Sequence, residues 1–278
     1  MFVYVILHYK TLNLTVECVE KILKNFPSSK IVIVDNFSND GSAEKLREIF
    51  PSVSVLSTEK NLGFAKGNNT GYEFAKKNYN ADFMVVMNND VMIDDKDFEK
   101  NILEKHFDIT GPDIITPEGK HQNPLLREPY SSLRIFKQNI IDIFRLICLK
   151  TGIFEKKILK TYNTTSQTFH KESVNLENIT DCILHGACVV FSRKWIENED
   201  FAFLPVTFLY GEEMLLFDYI KRKGYKTGIS ENAKVKHLGG KSTLTDLNAK
   251  EKQIFKTQMT IKANWKILKN RLLHIFKA

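Results

Sequence analysis

Two amides and a carboxylate, Asn88, Asn89 and Asp90, directly follow an apolar run of the sequence. A buried strand that ends in this way delivers its polar side chains to the carboxyl edge of a parallel sheet, where open α/β proteins bind ligands. A carboxylate flanked by amides suits Mg²⁺ or Mn²⁺ shared with phosphate oxygens, because these hard cations take oxygen ligands and usually keep only one or two protein carboxylates. Taken alone, the triplet fits a polar turn equally well.

A pair of carboxylates, Glu212 and Glu213, stands at the start of a helical pattern that ends before Gly224. A carboxylate beside a hydroxyl group can act as a general base and remove its proton. The helix dipole also favours acidic residues in the first turn of a helix. Without further context, this structural preference explains the pair better than catalysis does.

The elements that must position these residues alternate between strands and helices. Apolar runs predict strands at 2–7, 31–34, 53–56 and 83–87. Apolar residues at helical spacing predict helices at 12–26 and 43–50, the second capped by Ser42, and a third helix through 74–75 after a loop at 58–69. Because βαβ crossovers are right-handed, this series predicts an α/β fold with an open, mostly parallel, twisted sheet flanked by helices.

Such a sheet would gather several polar clusters at one edge. Each cluster follows the end of a predicted strand, and the clusters are His8 with Tyr9, Asp35, Asn61 with Gly63, and the triplet that ends at Asp90. Since the carboxyl ends of parallel strands meet at the same edge, we expect these side chains to converge.

The rest of the chain is less regular. Its pattern predicts a short strand at 114–115, a helix at 133–149, a polar loop at 162–171, a strand-like run at 182–191, and short strands at 225–229 and 233–235. His237 follows the last of these strands. By itself, it is as readily an ordinary histidine at a strand end as a ligand.

Composition narrows the possible partners. The formal net charge of +7 over 278 residues favours an anionic partner, but the chain has no basic patch with interleaved aromatic residues, so we do not expect it to bind nucleic acid. No apolar run approaches the roughly 20 residues that span a bilayer. The apolar N-terminus lacks a basic lead-in and a cleavage site, and the four cysteines form no metal or redox motif, so we expect a cytoplasmic protein.

Seven short segments resemble the inverting glycosyltransferases of family 2, which have the GT-A fold, and especially their bacterial rhamnosyltransferase-like branch. The segments are 5–9, 33–42, 61–69, 87–90, 186–188, 210–213 and 236–240. Each is weak alone, whereas the set in family order is specific. The resemblance divides the chain into a nucleotide-sugar-binding half at 1–105, a variable connector at 106–179, an acceptor-binding and catalytic half at 180–241, and a basic helical segment at 242–278.

The resemblance implies how a nucleoside-diphosphate sugar, UDP- or dTDP-linked, would bind. Asp35 would accept the imide N–H of a pyrimidine, with Tyr9 near the ring, although a carboxylate also suits guanine, which offers two N–H donors. Gly63 would let the backbone come close to the ribose and diphosphate. The full set of implied donor-binding residues is His8, Tyr9, Asp35, Asn61, Gly63, Asn68, Asn88 and Asn89.

The resemblance also implies a Mn²⁺ or Mg²⁺ site and a catalytic base. Asp90 matches the last residue of the Asp-x-Asp metal motif, with Asn88 at the first position and therefore one charge fewer, and His237 would be a further ligand or a diphosphate contact. Glu213 would remove the proton of the acceptor hydroxyl, and Glu212 would orient the acceptor. Leu215 stands where many relatives carry another acid.

The implied acceptor is a hydroxyl of a glycan or of a lipid-linked saccharide, in the assembly of a bacterial surface polysaccharide. The C-terminal segment repeats apolar residues at steps of three and four, carries many basic residues, and has no acid after Glu251. A helix of this kind either lies on an anionic membrane or packs on the domain with a solvated basic face. Lipid-linked acceptors favour the first alternative, and hence a peripheral protein on the inner face of the cell membrane.

Two other functions compete with sugar transfer. A sugar nucleotidyltransferase would need a glycine-rich basic loop after the first strand, where this chain has His8, Tyr9, Lys10 and Thr11. A catalytically weak or inactive GT-A-like scaffold would tolerate Asn88 and Leu215. Metal-dependent hydrolysis of a sugar nucleotide separates an active transferase from such a scaffold.

Overall fold

The computed structural model describes residues 1–155, 157–159, 175–239 and 247–275. The polar loop predicted at 162–171 and the last two residues of the resembling region, Gly240 and Lys241, lie outside this part of the chain.

An eight-stranded sheet with helices on both faces forms the described fold. Its strands are β1 (Phe2–His8), β2 (Lys30–Asp35), β3 (Ser54–Ser57), β4 (Phe83–Asn88), β5 (Val91–Met92), β6 (Ile109–Ile115), β7 (Cys188–Ser192) and β8 (Thr227–His237). The described helices include α1 (Leu12–Asn25), α2 (Ser42–Ile49), α3 (Gly63–Asn78), α4 (Phe98–Leu103), α5 (Ser132–Thr151), α6 (Arg193–Asn198), α7 (Glu212–Lys223) and α8 (Ala249–Ile275).

The strand order is β3-β2-β1-β4-β7-β6-β8-β5. Neighbours from β3 to β4 are parallel, as are β6 and β8, whereas β7 runs antiparallel to both β4 and β6 and β5 runs antiparallel to β8. The predicted open, mostly parallel α/β sheet is therefore confirmed.

Strand β1 shows why the sheet carries helices on both faces. Successive side chains of a strand point to opposite faces, so Val3 and Val5 pack into one core with Tyr72 of α3. Tyr4 and Ile6 pack into the second core with residues of α1 and α2. A strand buried on both faces reads as an uninterrupted apolar run, which is what the sequence shows.

Several predicted boundaries were wrong. Helix α3 begins at Gly63, so most of the predicted loop at 58–69 is helical; the side-chain oxygen of Asn61 accepts the N–H of Gly63 at 2.9 Å and starts this helix. Ser42 does not cap α2 through its side chain. Its own N–H donates to the carboxylate of Asp40 at 3.0 Å, and its hydroxyl bonds to His8.

Two further differences lie in the second half. The run at 182–191 forms a regular strand only from Cys188, and Ile183 makes an isolated bridge with Leu126. The two short strands predicted at 225–235 are one strand, β8, which pairs with β6 across a register shift at Pro112 and Asp113. The register shift explains why one long strand reads as two short patterns.

The C-terminal helix α8 packs on the domain and on α5. The amide of Asn139 in α5 donates to the carbonyl of Ile261 at 3.3 Å and accepts from Asn264 at 3.0 Å. Arg271 donates to both carboxylate oxygens of Asp218, at 2.6 and 3.0 Å. None of the described helices has the length and apolarity that crossing a bilayer requires.

Candidate active site

Two pockets open at the carboxyl edge of the first four strands. The smaller one, about 100 Å³, is lined by Tyr9, Asn61, Gly63, Asn88 and Asn89 among others. The second, about 290 Å³, is lined by Asp35 and by the residues of the following turn. The structure thus brings five of the eight predicted donor-binding residues into one pocket and sets Asp35 in the other.

Asn36 lines the smaller pocket, and its role was not predicted from the sequence. Its side-chain oxygen accepts the N–H of Leu62 at 2.9 Å, and its amide nitrogen donates to Asn61 at 3.2 Å and to the carbonyl of Gly63 at 3.1 Å. The end of β2 is therefore tied to the start of α3. Only its place directly after Asp35, at a strand end, signalled this role.

His8 lines neither pocket, and its predicted role in donor binding stays a prediction. Its ring is fully buried, with Nδ1 at 2.7 Å from the hydroxyl of Thr15 and Nε2 at 2.8 Å from the hydroxyl of Ser42. Burial lowers the pKa of His8, and the nearby carboxylates of Asp35 and Asp40 oppose this. Because successive residues of an extended chain face opposite sides, the ring of His8 points toward α1 and α2, whereas Tyr9 lines the smaller pocket.

Asn68 also lies outside the lining of both pockets, and Gly63 has an additional role. Asn68 is buried inside α3, where its amide donates to the carbonyl of Phe64 at 3.0 Å, so it does not line the cleft. Gly63 lines the small pocket, but a Cβ there would meet the carbonyl oxygen of Phe208 at 2.2 Å. The missing side chain therefore admits the segment around Phe208, whose carbonyl accepts the N–H of Phe64 at 2.8 Å.

Asn89 is also held by the protein. It is buried, and its amide nitrogen donates to the hydroxyls of Thr11 at 2.7 Å and Thr15 at 2.8 Å. Asn88 lies beside it in the small pocket, partly exposed. Of the two amides, Asn88 is the one that retains surface for a ligand.

Asp90 and His237 face each other across the pairing of β5 with β8. Val91 pairs with His237, and the carbonyl of Asp90 accepts the N–H of Leu238 at 2.9 Å. This pairing brings the Nε2 atom of His237 to 3.3 Å from the Oδ1 atom of Asp90. Both side chains are buried, and Oδ1 of Asp90 makes no hydrogen bond.

Gln122, which the sequence analysis also missed, orients His237. Its side-chain oxygen lies 2.7 Å from Nδ1 of His237. An amide oxygen only accepts, so Nδ1 donates to it, and Nε2 is the ring atom that faces the Asp90 carboxylate. A carboxylate oxygen and an imidazole nitrogen this close to each other need a cation or a proton between them.

These residues fit a divalent cation. A carboxylate oxygen without a partner and an oriented imidazole are both metal ligands, and the hydrogen bond from Gln122 is the outer support that ligating histidines usually have. Within the described residues, no cluster of three or more His, Cys, Asp or Glu is suitable for a metal. The protein would then supply two ligands and leave the other positions to phosphate oxygens and water, as Mg²⁺ sites often do.

A larger cavity, about 510 Å³, lies between α5, α8 and the start of α7. Apolar side chains make up much of its wall, including Leu125, Ile135, Met214 and Ile267. Gln122 lines one side of it, and Glu213 lines another. The residue that orients His237 therefore shares a cavity with the predicted base.

The two glutamates differ in their surroundings. Glu212 is buried and accepts a hydrogen bond from the hydroxyl of Thr207 at 2.9 Å. Burial, and then the charge of Glu213, raises the pKa of Glu212 to about 8. Burial also raises the pKa of Glu213, opposed by its own backbone N–H and that of Gly186. Glu213 retains exposed surface in the cavity, whereas Glu212 does not line it.

The segment 185–187 joins Glu213 to the strand ends. A Cβ on Gly186 would lie 2.9 Å from Oε1 of Glu213, so the glycine lets this carboxyl group approach the backbone. The next residue, Ala187, accepts the N–H of Asn88 at 2.9 Å. The ring of His185 lies edge-on to that of His237, with centroids 5.6 Å apart. Glu213 and the Asp90–His237 pair thus flank the same three residues.

Comparison with known proteins identifies the family and the fold. The family model described as Glycosyl transferase family 2 matches residues 4–199. No curated protein sequence matches the chain.

Solved structures share the fold at low sequence identity. S. aureus TarS 1–349 in complex with UDP is 16% identical with a TM-score of 0.51, over 95% of this chain and 64% of that one. The complex of the same protein with UDP-GlcNAc is 16% identical with a TM-score of 0.50, over 89% of this chain and 61% of that one.

The mannosyltransferase PcManGT from Pyrobaculum calidifontis, in complex with GDP-Man and Mn²⁺, is 13% identical with a TM-score of 0.52, over 100% of this chain and 75% of that one. The chain spans less than two thirds of the length of the TarS structures that it matches. At these identities, the likeness concerns the fold.

Proposed function

The chain belongs to glycosyl transferase family 2, and we propose that it transfers a sugar from a nucleoside-diphosphate sugar to a hydroxyl group with inversion at the anomeric carbon. The observation that carries this proposal is the pairing of sites around residues 185–187. A candidate cation site, Asp90 with His237, lies on one side, and a carboxyl group of raised pKa, Glu213, lies on the other.

We propose that the two pockets at the sheet edge bind the donor. The carboxylate of Asp35 accepts the N–H of Ser38 through one oxygen and lines the 290 Å³ pocket, where it suits an N–H group of a base. Tyr9 and Asn88 line the smaller pocket on the way to Asp90. The complexes of TarS with UDP and UDP-GlcNAc support a uracil-linked donor, and the rhamnosyltransferase-like motifs extend the proposal to dTDP-linked sugars.

Asp90 and His237 would hold Mn²⁺ or Mg²⁺. The cation would supply positive charge to the departing diphosphate. The protein itself holds Oδ1 of Asp90 and Nε2 of His237 3.3 Å apart, and the contact of Nδ1 with Gln122 orients the ring. Asn88 adds a neutral amide where an acid is usual. The Mn²⁺ complex of PcManGT supports this choice of metal.

Glu213 would take the proton of the acceptor hydroxyl as its oxygen attacks the anomeric carbon. Its raised pKa makes its carboxylate a better proton acceptor than an ordinary glutamate, since a base works best with a pKa near the working pH. Glu212 does not line the cavity and would act indirectly, because the hydrogen bond that it accepts from Thr207 fixes the first turn of α7. Attack from the face opposite the diphosphate gives inversion.

The acceptor would lie in the 510 Å³ cavity. Its apolar wall and its arginines, Arg134 and Arg145, suit a saccharide that carries an apolar and an anionic part. A lipid-linked saccharide of a bacterial surface polysaccharide has both. We therefore propose this acceptor class. We also propose that the protein is cytoplasmic and peripheral on the membrane, and the exposed lysines of α8 are available for contact with it.

The test is nucleoside diphosphate release from a panel of UDP-, dTDP- and GDP-linked sugars, with and without Mn²⁺. We expect slow, Mn²⁺-dependent hydrolysis of one donor class and faster release with an acceptor. Mn²⁺-dependent donor binding without any turnover would favour the inactive scaffold instead.

A further inference from the structure

The outward face of α5 exposes a continuous apolar stripe. The exposed fractions are 62% for Leu133, 44% for Phe136, 52% for Ile140, 62% for Phe144 and 54% for Ile147. These five residues, which we call the α5 stripe, recur every three or four positions and so lie on one side of the helix. Large apolar side chains in a row on a surface usually mark a binding face.

Charges beside the α5 stripe are basic. Lys137 and Lys150 are exposed on its two sides. The one acid of α5, Asp142, is buried and bonded to Arg145 at 3.1 Å, on the side that faces the domain. The exposed surface of α5 is therefore apolar and cationic.

Helix α8 extends this surface. The ring of Trp265 is 45% exposed and meets the ring of Phe136 edge-on, with centroids 5.9 Å apart. Lys262 and Lys269 are exposed about one turn before and after Trp265. Tryptophan, lysine and an apolar stripe together are the composition of helices that lie in the interface of a bilayer.

Part of the apolar surface of α8 packs on the domain. Ile267 and Ala263 are buried, and Leu268 packs against the main core. The face of α8 that remains exposed carries several lysines, with Trp265, Leu272 and Leu273 as its large apolar side chains. The larger apolar contribution therefore comes from α5.

We propose that the α5 stripe, with Trp265 and the lysines around it, seats the protein on an anionic lipid bilayer. A second copy of the chain fits this surface less well. In a two-fold contact the same patch meets itself, so Lys137 and Lys150 would approach the cations of the other copy without an exposed acid on α5 to offset them. Anionic headgroups match the cations, and acyl chains match the stripe.

The proposal deepens the proposed function. Other faces of the same two helices line the acceptor cavity, through Ile135 and Gln138 of α5 and Asn264 and Ile267 of α8. A protein seated on the α5 stripe holds this cavity next to the membrane, where a lipid-linked acceptor is found. Only this consequence rests on the proposed function, because membrane seating itself needs no sugar transfer.

The test is flotation of the full chain with vesicles of phosphatidylglycerol and phosphatidylcholine in equal parts. We expect Phe144→Ser with Ile147→Ser to weaken binding about tenfold or more, since two inserted apolar side chains are lost. The matched control is Leu103→Ser, which removes a side chain that is 52% exposed on α4, and its binding should equal that of the wild type. Equal binding by the double variant and the wild type would overturn the proposal.

A charge test separates anionic lipid from apolar adsorption. Lys137→Glu with Lys150→Glu should lower binding to the anionic vesicles, whereas Lys45→Glu with Lys77→Glu, two exposed lysines on α2 and α3, should lower it much less. The same loss with both pairs would contradict a specific seat at α5.

Two further readouts keep the outcomes distinct. If Phe144→Ser with Ile147→Ser turns a dimer into a monomer in sedimentation and leaves vesicle binding unchanged, the stripe binds a second copy and the proposal is wrong. Nucleoside diphosphate release without vesicles should be the same for this variant and the wild type. A failure of sugar transfer would thus appear in this assay and leave flotation unaffected.

Discussion

At the ends of β1 and β2, polar side chains bond to one another, whereas around Glu213 apolar side chains from separate elements enclose one carboxyl group. Asn36 alone makes three hydrogen bonds that tie β2 to α3. Glu213 is enclosed by residues of α5, α7 and α8, which are far apart in sequence.

This difference indicates two ways of preparing a site. The proposed donor edge is fixed in place before a ligand arrives, because its amides and hydroxyls already hold the backbone that would meet the nucleotide. The proposed acceptor cavity instead changes the proton affinity of one group by removing water around it. Substitutions in the first region should act on donor binding and folding, and those in the second on rate and pH dependence.

The largest expected effect is on the acceptor side. Glu213→Gln keeps the shape of the side chain but removes the base, so kcat should fall about 10²- to 10⁴-fold with little change in the KM for the donor. Glu212→Gln should retain most of the activity at pH 7, because a glutamate whose pKa is about 8 is already protonated there. Steady-state kinetics of both variants would reverse our assignment if Glu212→Gln abolished transfer and Glu213→Gln did not.

The pH dependence of the rate is a second test of the role of Glu213. Glu213 must be ionised to accept a proton, and burial raises its pKa above the ordinary value of about 4.3. The rate should therefore rise with pH on an acidic limb displaced above that value. A limb at the ordinary glutamate value would assign the proton transfer to an exposed group.

A smaller effect is expected where the two regions meet. Asp90→Asn should raise the Mn²⁺ concentration for half-maximal activity strongly, and Gln122→Leu about 10- to 100-fold, because it removes the support of His237 while leaving both ligands. Asp200→Asn, which alters an exposed ion pair with Lys76, is the control. Metal titrations that are equal for Gln122→Leu and the wild type would remove the metal role of His237.

On the donor side we expect a change in folding and binding. Asn36→Ala removes three hydrogen bonds and leaves the N–H of Leu62 without this acceptor, so the free energy of unfolding should fall by about 1–3 kcal/mol. The KM for the donor should rise while kcat at saturation changes little. Chemical denaturation and donor titrations measure the two effects, and a fall in kcat alone would contradict the division between the regions.

The smallest expected effect is a pH dependence of stability. The folded protein holds the proton of Glu212 up to about pH 8, whereas an unfolded glutamate loses it near pH 4.3. Stability from this group is full below about pH 4 and is lost as the pH rises through 8. Glu212→Gln should flatten this part of the Tm profile, and an unchanged profile would show that Glu212 is not protonated in the folded state.

The sequence predicted the strand ends well, because each apolar run stops at a polar group and both faces of β1 are buried. It could not show which polar side chains turn inward. His8 and Tyr9 are adjacent yet point to opposite faces, and Asn68 is inside a helix that starts earlier than its pattern suggested.

The acceptor side was less accessible to sequence reasoning. Glu213 was predicted from its family position, but Gln122 lies in a stretch without a regular pattern and acts through a contact 115 residues away. The cavity needs α5 and α8 to pack together, and no local pattern records such a pairing. Local chemistry was therefore predictable, whereas assembly over long sequence distances was not.

The most direct test of the account is the position of Mn²⁺ in crystals grown with Mn²⁺ and UDP, located by its anomalous scattering. We expect a peak within about 2–2.5 Å of Oδ1 of Asp90 and Nε2 of His237, with the carboxyl group of Glu213 in the same cleft beyond residues 185–187. A metal peak elsewhere on the protein, with no metal between Asp90 and His237, would contradict this assignment.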